Sequence, residues 1–240
     1  MIFIILPSYN EEKNLVKIFK KIQVLHKNFK SSVVLVDDGS SDLTYKLVKR
    51  NYGFKIYYLK HKINKGLSCA LETGFKKVAK IGNNKDVIIT LDSDNTHPIN
   101  LIPKMIKKIK MNNDIVIASR FQKNSRVKGV SFLRKLMSLG AKFIFQKFFP
   151  FKNLNDYTCN FRAYKFGLIK KLLKNKNFFK NEDFNIAAKI ILYLTNGYKN
   201  INLIELPFKL SYNYKIGQSK MKLVRTILLT LRLVFFKKFY

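Results

Sequence analysis

Residues 1–42, MIFIILPSYNEEKNLVKIFKKIQVLHKNFKSSVVLVDDGSSD, contain two short apolar runs that each end in a polar turn. The first run, residues 2–6, stops at Pro7, and the residues after Lys13 have apolar side chains at helical spacing, namely Leu15, Ile18, Phe19, Ile22 and Leu25. The second run, residues 33–36, stops at Asp37-Asp38-Gly39-Ser40. This alternation predicts a strand, a loop, a helix and a second strand.

The same alternation continues to residue 118. We expect a helix carrying Leu43 and Leu47, with Ser41 or Asp42 as its N-cap. Strand, helix, strand and strand should then follow over residues 55–59, 66–80, 87–91 and 115–118. Continuous Val, Ile and Leu strands between amphipathic helices indicate an α/β fold, with a mostly parallel sheet flanked by helices. Ligands of such sheets bind beyond the carboxyl ends of the strands, so the polar residues after three of these strands should converge.

The 240 residues carry a formal net charge of +33, and this charge is unevenly distributed. Residues 1–98 hold 17 basic and 9 acidic side chains, whereas residues 99–240 hold 30 and 5. We therefore expect an anionic partner, such as an anionic membrane surface or a phosphorylated substrate, to contact the second part. The alternative is that most individual lysines reflect a compositional bias and only solvate helix faces.

Cysteine content and hydropathy bear on the compartment. Cys69 and Cys159 show no CxxC pair or zinc spacing, which favours a reducing, cytoplasmic location. Residues 2–6 lack a preceding basic region and a cleavage site, so we expect a strand there and not a signal peptide. The sequence has no uninterrupted run of about 18 apolar residues. Membrane contact is therefore expected to be peripheral, at the inner face.

Two segments of the basic part have the pattern of amphipathic helices rich in Phe, Leu and Lys. Their polar stripes are Lys135, Ser138, Lys142 and Gln146 in residues 131–149, and Lys222, Arg225 and Arg232 in residues 221–240. Basic helices with Phe and Leu on the remaining surface suit the headgroup boundary of an anionic bilayer. The alternative is that both helices pack their apolar side on the sheet.

The triplet Asp92-Ser93-Asp94 places two carboxylates at a predicted strand end. Two such carboxylates can bind one Mg²⁺ or Mn²⁺, and these ions readily share their coordination with substrate phosphates. Asp37 ends a strand at the same edge and can accept hydrogen bonds from a nucleobase or a ribose hydroxyl. Each of these turns, taken alone, is more often a solvated loop. The interpretation as a binding site for a metal and a nucleotide therefore rests on their shared position at one edge of the sheet.

Six ordered elements resemble family 2 glycosyltransferases, and more narrowly the dolichyl-phosphate mannose synthase group and its bacterial polyprenyl-phosphate relatives. The elements are Pro7-Ser8-Tyr9-Asn10-Glu11 (P-x-Y-N-E), residues 36–42 (V-D-D-G-S-x-D), residues 92–98 (D-x-D-x-x-H-P), Ser119-Arg120-Phe121 (S-R-[YF]), residues 156–162 (D-x-T-x-x-F-R) and Gly217-Gln218-Ser219-Lys220 (G-x-S-K). The resemblance implies a Rossmann-like GT-A domain over residues 1–220, followed by a membrane-interfacial amphipathic helix at residues 221–240.

The resemblance also assigns roles to individual residues. Those expected to bind the donor are Pro7, Tyr9, Glu11, Asp37, Asp92 and Lys220, and those expected to bind the metal are Asp92 and Asp94. Those expected to bind the acceptor phosphate are Arg134 and Lys220, for which Arg offers bidentate geometry and Lys a point charge. The expected catalytic set is Asp92, Asp94, Arg120 and Asp183.

Three positions depart from the pattern of these synthases. Thr96 stands where a Gln often follows the second metal-binding Asp, so the third metal ligand is open. Tyr214 stands where an Arg precedes the G-x-S-K lysine, and Lys142 ends an element that usually reads S-R-G-A-N. These departures weaken the acceptor assignment more than the fold assignment.

Two further residues have competing interpretations. Asp183 follows Glu182 at the predicted start of a helix, where the helix dipole favours acids. Relatives that glycosylate a hydroxyl use an acid near this position as general base, which a lipid phosphate does not require. His97 is the histidine nearest the site, and we expect it to support the site and not to bind the metal.

Together these elements predict an inverting transfer of a hexose, of mannose or glucose type, from a nucleotide-diphosphate sugar to a polyprenyl phosphate with the help of Mg²⁺ or Mn²⁺. The alternative acceptor is a saccharide hydroxyl in cell-surface polysaccharide synthesis. A nucleic-acid-binding module is disfavoured, because aromatic residues lie at core spacing and no zinc-finger, RRM or helix-turn-helix pattern occurs. The intact pair Asp92 and Asp94 disfavours a catalytically silent nucleotide-sugar binder.

Overall fold

The computed structural model describes residues 1–198, 200–214, 216–217 and 223–235. Its strands are β1 (Ile2–Ser8), β2 (Ser31–Asp37), β3 (Lys55–Lys60), β4 (Val87–Thr90), β5 (Ile115–Ser119), β6 (Arg126–Lys128), β7 (Arg162–Lys165), β8 (Leu203–Pro207) and β9 (Lys209–Ser211). Its helices are α1 (Glu12–Asn28), α2 (Thr44–Val48), α3 (Leu67–Ile81), α4 (Ile102–Lys110), α5 (Phe132–Phe148), α6 (Phe166–Lys174), α7 (Ile186–Gly197) and α8 (Leu223–Phe235), with short 3-10 turns at Ile99–Leu101 and Tyr212–Tyr214.

Seven strands form the central sheet, in the order β3-β2-β1-β4-β7-β5-β8. Six of them run in one direction, and β7 is antiparallel to both of its neighbours, β4 and β5. A small second sheet pairs β6 with β9. The α/β fold with a mostly parallel sheet that the sequence predicts is therefore confirmed.

The strand order reverses at β1. The chain moves from β1 to β2 and β3 on one side, and then crosses to β4 on the other side. With right-handed crossovers, this reversal puts α1 and α3 on opposite faces of the sheet and opens a crevice beyond the carboxyl ends of β1 and β4. Pro7 and Asp92 both lie at that crevice.

The core lies where both faces of the strands are covered. β1 and β2 are buried along their whole lengths, which explains why they appear as continuous apolar runs. α1 buries the stripe that carries Leu15, Phe19 and Ile22. On α3, a Cβ added to Gly74 would stand 2.5 Å from the side chain of Ile5, so this position excludes a larger residue.

The second helix differs from the sequence prediction. It is a short segment, Thr44–Val48, and Leu43 precedes it with 52% of its surface exposed. The expected N-cap, Ser41 or Asp42, is wrong, because Leu43 occupies that position, although the Asp42 carboxylate accepts a hydrogen bond from Thr44 N at 3.0 Å. Leu47 is buried, so one of the two expected core contacts is formed and the other is not.

α5 and α8 contact each other and leave much of their apolar surface exposed. The rings of Phe148 and Phe235 stand 6.0 Å apart, and Phe132 is 81% exposed. We call this exposed surface the apolar platform; it consists of Phe132, Leu133, Leu136, Leu139, Phe143, Phe148, Val224, Ile227, Leu228 and Phe235. α5 also packs on the core, through the buried Phe145 and the partly buried Ala141 and Ile144, so the alternative that it packs on the sheet holds for part of its surface.

α8 combines exposed and packed surfaces. Leu233 and Val234 are buried, whereas Leu228 and Phe235 are exposed.

Within the described ranges, every helix falls short of the length or the apolar character that a bilayer-spanning segment requires.

Candidate active site

The loops that follow β1 and β2 are joined by side-chain hydrogen bonds. Asn10 donates its backbone N–H to Ser40 Oγ at 2.9 Å, and its Oδ1 accepts a hydrogen bond from Ser41 N at 2.9 Å. Glu12 Oε2 accepts a hydrogen bond from Leu43 N at 2.6 Å. The two loops therefore form one connected edge of the crevice.

Asp37 is the last residue of β2 and is 1% exposed. Its Oδ1 accepts a hydrogen bond from Ser40 N at 2.8 Å, and its Oδ2 accepts one from the Tyr58 hydroxyl. Burial and the hydrogen bond to Asp37 raise the pKa of Tyr58, so its hydroxyl stays a donor. An ionised carboxylate offers about four acceptor positions, more than these two hydrogen bonds use.

Asp38 holds the loop of residues 61–66 against this edge. Its carboxylate accepts hydrogen bonds from Lys65 N at 2.9 Å and Gly66 N at 2.8 Å, and contacts His61 Nδ1 at 2.6 Å. Gly39 has a φ of +80°, and a Cβ there would stand 2.7 Å from Asn64 N. Only glycine fits such a close approach. The Asp-Asp-Gly element thus positions a neighbouring loop, a role that its sequence did not suggest.

The loop after β4 carries the two candidate metal ligands, Asp92 and Asp94, both partly exposed. Ser93 donates its hydroxyl to Pro7 O at 2.7 Å, which ties this loop to the end of β1. Thr96 donates to Asp94 Oδ1 from its N–H at 3.1 Å and from its hydroxyl at 2.7 Å. The residue at the open third-ligand position therefore orients Asp94.

His97 lies beneath the same loop and is 5% exposed. Its Nδ1 accepts a hydrogen bond from Asp92 N at 3.2 Å, and its ring stacks on Phe161 with the ring centroids 5.2 Å apart. These contacts match the supporting role expected for His97.

Arg120 is anchored to the buried carboxylate of Asp156. Its Nε and Nη2 donate to the two carboxylate oxygens at 2.8 and 2.6 Å, and Nη2 also donates to Thr158 Oγ1 at 2.6 Å. Burial alone would raise the pKa of Asp156, but the charge and hydrogen bonds of Arg120 bring that pKa below its ordinary value. Because Asp156 compensates its charge, Arg120 offers the site oriented N–H donors more than net positive charge.

A cavity lies between the loop after β4 and Arg120. Its lining consists of Leu67, Asp92, Thr96, His97, Arg120, Thr158, Cys159, Asn160, Phe184, Ala187, Phe208, Leu210 and Tyr212. The structure thus brings Asp92 and Arg120 together, as the resemblance implied. It also adds Asn160 and Tyr212, for which the sequence carried no signal.

Arg134 and Asp183 lie near the rim of this cavity. The Arg134 guanidinium stands 5.9 Å from the centroid of the Tyr212 ring, and Tyr212 lines the cavity. Asp183 precedes the lining residue Phe184, and its Oδ1 would stand 3.5 Å from a Cβ built on Gly66. Both predicted residues are therefore close to the cavity without lining it.

The expectation that Glu182 and Asp183 open a helix is wrong, because α7 begins after them. Glu182 forms an ion pair with the buried Lys189 at 2.7 Å, so its charge serves the packing of α7. Asp183 Oδ2 stands 3.9 Å from Arg225 Nε on α8. The acid near the cavity is thus in electrostatic contact with the helix that carries part of the apolar platform.

Tyr9 and Glu11 follow β1, with Tyr9 half-buried and Glu11 8% exposed. Glu11 Oε2 accepts a hydrogen bond from Asn14 Nδ2 at 2.6 Å. The Asn14 side chain also binds the backbone of Ile216, donating to its carbonyl at 3.0 Å and accepting from its N–H at 3.2 Å. This brings the residue before the G-x-S-K element to the N-terminus of α1, whereas Lys220 lies outside the described residues.

A family model described as Glycosyl transferase family 2 matches residues 3–173. The chain belongs to glycosyl transferase family 2. The match runs from β1 into α6 and includes the loops after β1, β2, β4 and β5 that build the site.

Two curated relatives have names that refer to dolichol phosphate. A dolichol-phosphate mannosyltransferase of Pyrococcus furiosus is 30% identical over 221 residues, which cover 91% of this chain and 58% of that protein. A UDP-N-acetylglucosamine–dolichyl-phosphate N-acetylglucosaminyltransferase of Methanococcus voltae is 31% identical over 159 residues, which cover 60% of this chain and 61% of that protein. The chain therefore spans about 60% of the length of these two relatives.

The fold also matches solved GT-A structures. Glucosyl-3-phosphoglycerate synthase of Mycobacterium tuberculosis, solved with Mn²⁺, UDP and glucosyl-3-phosphoglycerate, superimposes with a TM-score of 0.69 at 15% identity, over 97% of this chain and 79% of that chain. The GT-A fold implied by the sequence resemblance is confirmed.

The loop after β4 fits a divalent cation that is shared with a substrate. Among the residues that the structure describes, no three His, Cys, Asp or Glu side chains cluster so as to hold a metal ion by themselves. Mg²⁺ usually takes one or two protein carboxylates and completes its shell with phosphate oxygens and water. Two partly exposed carboxylates, Asp92 and Asp94, would provide the oxygen ligands for such a site.

Proposed function

We propose that this chain transfers a hexose, of mannose or glucose type, from a nucleoside-diphosphate sugar to a polyprenyl phosphate, with inversion at the anomeric carbon. The observation that carries the proposal is the cavity joining Asp92 to Arg120 at the carboxyl edge of the sheet. Arg134 of α5 contacts Tyr212 of the cavity wall, and the same helix carries most of the apolar platform. The names of the two relatives support a lipid phosphate as acceptor.

The donor would lie across the crevice at the strand ends. The half-buried Tyr9, with Glu11 and Asp37, would bind the nucleoside, and the diphosphate would extend toward Asp92 and Asp94. Asp37 and Asp92 are linked through the bonded loops, because Asp38 N donates to Ser8 O at 2.7 Å and Ser93 donates to Pro7 O. This linkage keeps the nucleoside and diphosphate ends in a fixed relation, as orientation at a reacting carbon requires.

The chemical step would be a single displacement. An oxygen of the acceptor phosphate forms a bond to the anomeric carbon while the bond to the nucleoside diphosphate breaks and its electron pair leaves with the diphosphate. A divalent cation at Asp92 and Asp94 would neutralise charge on the leaving diphosphate. The oriented N–H groups of Arg120 would donate to phosphate oxygens, and Arg134 and Lys220 would meet the acceptor phosphate. A lipid phosphate is already anionic, so Asp183 would act as base only if the acceptor were a hydroxyl.

The acceptor would reach the cavity from a membrane. Lys135, Lys147 and Arg225 are exposed beside the apolar platform. Cations near an anionic leaflet contribute about 1 kcal/mol each, and inserted apolar side chains add to this. We place the protein peripherally at the cytoplasmic face, with the apolar platform in the headgroup region.

The role of Asp37 predicts a defined kinetic result. Asp37→Ala should raise the donor KM by about 10- to 100-fold and change kcat little, because a hydrogen bond to a charged group remote from the reacting carbon is lost. Tyr58→Phe removes one of the bonds that orient Asp37 and should raise KM in the same direction by less. Steady-state kinetics with varied donor measure both. An unchanged KM with a collapsed kcat would assign Asp37 to the chemical step instead.

The overall proposal is tested by assaying purified protein with a panel of UDP- and GDP-hexoses, Mg²⁺ or Mn²⁺, and either polyprenyl phosphate or a saccharide acceptor. We expect a β-linked polyprenyl phospho-sugar from an α-linked donor, identified by mass spectrometry and NMR. Products that form only with the saccharide, with activity lost in Asp183→Asn, would establish the hydroxyl acceptor instead. An α-linked product would contradict the inverting mechanism.

A further inference from the structure

The segment that leads from Asp156 into β7 is held in place at several points. Cys159 N donates to Asp156 Oδ1 at 3.0 Å, Thr90 donates its hydroxyl to Asn160 O at 2.7 Å, and Ala118 N donates to Phe161 O at 3.0 Å. The antiparallel pairing of β7 between β4 and β5 brings this segment beside the loop after β4. The backbone of Asn160 is therefore fixed next to Asp92.

The side chain of Asn160 makes a direct contact with a candidate metal ligand. Its Nδ2 donates to Asp92 Oδ1 at 3.0 Å, and the residue is 6% exposed and lines the cavity. Because a carboxylate can only accept, the amide must present its NH₂ group to Asp92. His97 already holds the backbone N–H of the same aspartate, so His97 and Asn160 control different parts of Asp92.

We propose that Asn160 is a positioning residue for metal binding, which fixes the orientation of the Asp92 carboxylate toward the cation and the diphosphate. The inference rests on the proposed function, since it requires that Asp92 bind a metal. Hydrogen-bonded partners of a metal ligand typically change metal affinity by about 10- to 100-fold when they are removed. The amide is buried, and a hydrogen bond in a medium of lower dielectric is stronger than one in water.

The test measures Mn²⁺ binding directly. Free Mn²⁺ is titrated by electron paramagnetic resonance against the full-length protein, in the presence of UDP and separately of GDP. We expect Asn160→Ala to weaken Mn²⁺ binding by about 10- to 100-fold, with a matching rise in the Mn²⁺ concentration needed for half-maximal turnover. Asn160→Ser, whose side chain is too short to replace the amide, should change both in the same direction and provides a second variant if Asn160→Ala folds poorly.

Two further variants separate positioning from packing. Thr90→Val removes the neighbouring hydrogen bond to the Asn160 backbone but keeps the amide, so it should lower thermal stability without the same loss of Mn²⁺ affinity. Asn160→Ala combined with Asp92→Ala should bind Mn²⁺ no more weakly than Asp92→Ala alone, because Asn160 acts through Asp92.

The outcomes distinguish this inference from the proposed function. Normal Mn²⁺ affinity in a folded Asn160→Ala protein would overturn the positioning role alone, and so would an additional loss in the Asp92→Ala background. A wild-type protein that binds no Mn²⁺ with either nucleotide would overturn the metal site together with this inference.

Discussion

Asp94→Asn is expected to reduce metal-dependent turnover by about 10²- to 10³-fold. The variant would weaken the proposed contact between cation and diphosphate. Such a contact contributes several kcal/mol of transition-state stabilisation, and each 1.4 kcal/mol corresponds to a factor of ten. The fold should remain intact, since Asn keeps the oxygen that accepts hydrogen bonds from the N–H and hydroxyl of Thr96. Initial rates with saturating donor, measured across a Mn²⁺ and Mg²⁺ titration, give the effect.

Asp114→Asn is the matched control for this experiment. Asp114 forms an ion pair with Lys165 at 2.9 Å, at the amino-terminal end of β5 and away from the cavity. It should retain wild-type turnover and the same metal dependence. Wild-type activity that persists in EDTA would remove the basis for a metal at Asp92 and Asp94.

The double variant Phe132→Ser and Phe143→Ser is expected to weaken binding to anionic liposomes by about 100-fold. Both side chains are largely exposed, at 81% and 67%, so their loss should not destabilise the fold. Each contributes about 1.5–3 kcal/mol when it is fully buried in an apolar environment, and two partly inserted rings together provide about 3 kcal/mol. Co-sedimentation with vesicles at increasing lipid concentration measures the change.

A control that removes apolar side chains elsewhere on the surface places the effect on the apolar platform. Val24 and Met111 are 65% and 58% exposed, and both lie on segments that lead back to the amino-terminal edge of the sheet. Val24→Ser with Met111→Ser should bind vesicles like the wild type. Equal loss in both double variants, or no preference of the wild-type protein for anionic over neutral vesicles at low salt, would reject docking through the apolar platform.

Much of the fold follows from local patterns in the sequence. β1, β2, β4 and β5 are buried on both faces, so their apolar runs and the intervening amphipathic helices are visible without tertiary information. The polar residues at the strand ends could be placed for the same reason. The strand β7 could not be predicted in this way, because its first residue, Arg162, is charged and yet fully buried. Its guanidinium donates hydrogen bonds to the carbonyl oxygen of Ala187, which is distant in sequence, and to that of Tyr157, which lies in a loop.

Several site residues are also defined only by tertiary contacts. Asn160 lies in a segment that a pattern of residue types does not distinguish, and its role depends on the pairing of β7 with β4. Arg120 could be predicted as a site residue. The compensation of its charge by the buried Asp156 could not be predicted. The ion pair between Glu182 and Lys189 likewise depends on a tertiary contact. No local sequence pattern indicates that the Glu182 carboxylate is occupied by this ion pair.

The bonds between Asn14 and Ile216 have a consequence for the order in which the protein matures on the ribosome. They join positions 202 residues apart, whereas the bonds between the loops after β1 and β2 span about 30 residues. Because N-terminal units fold first during synthesis, we expect the loops after β1 and β2 to become ordered while the cavity walls from Phe208 to Tyr212 are still untranslated. Limited proteolysis of stalled nascent chains that end before and after residue 217 would reveal this sequence of events.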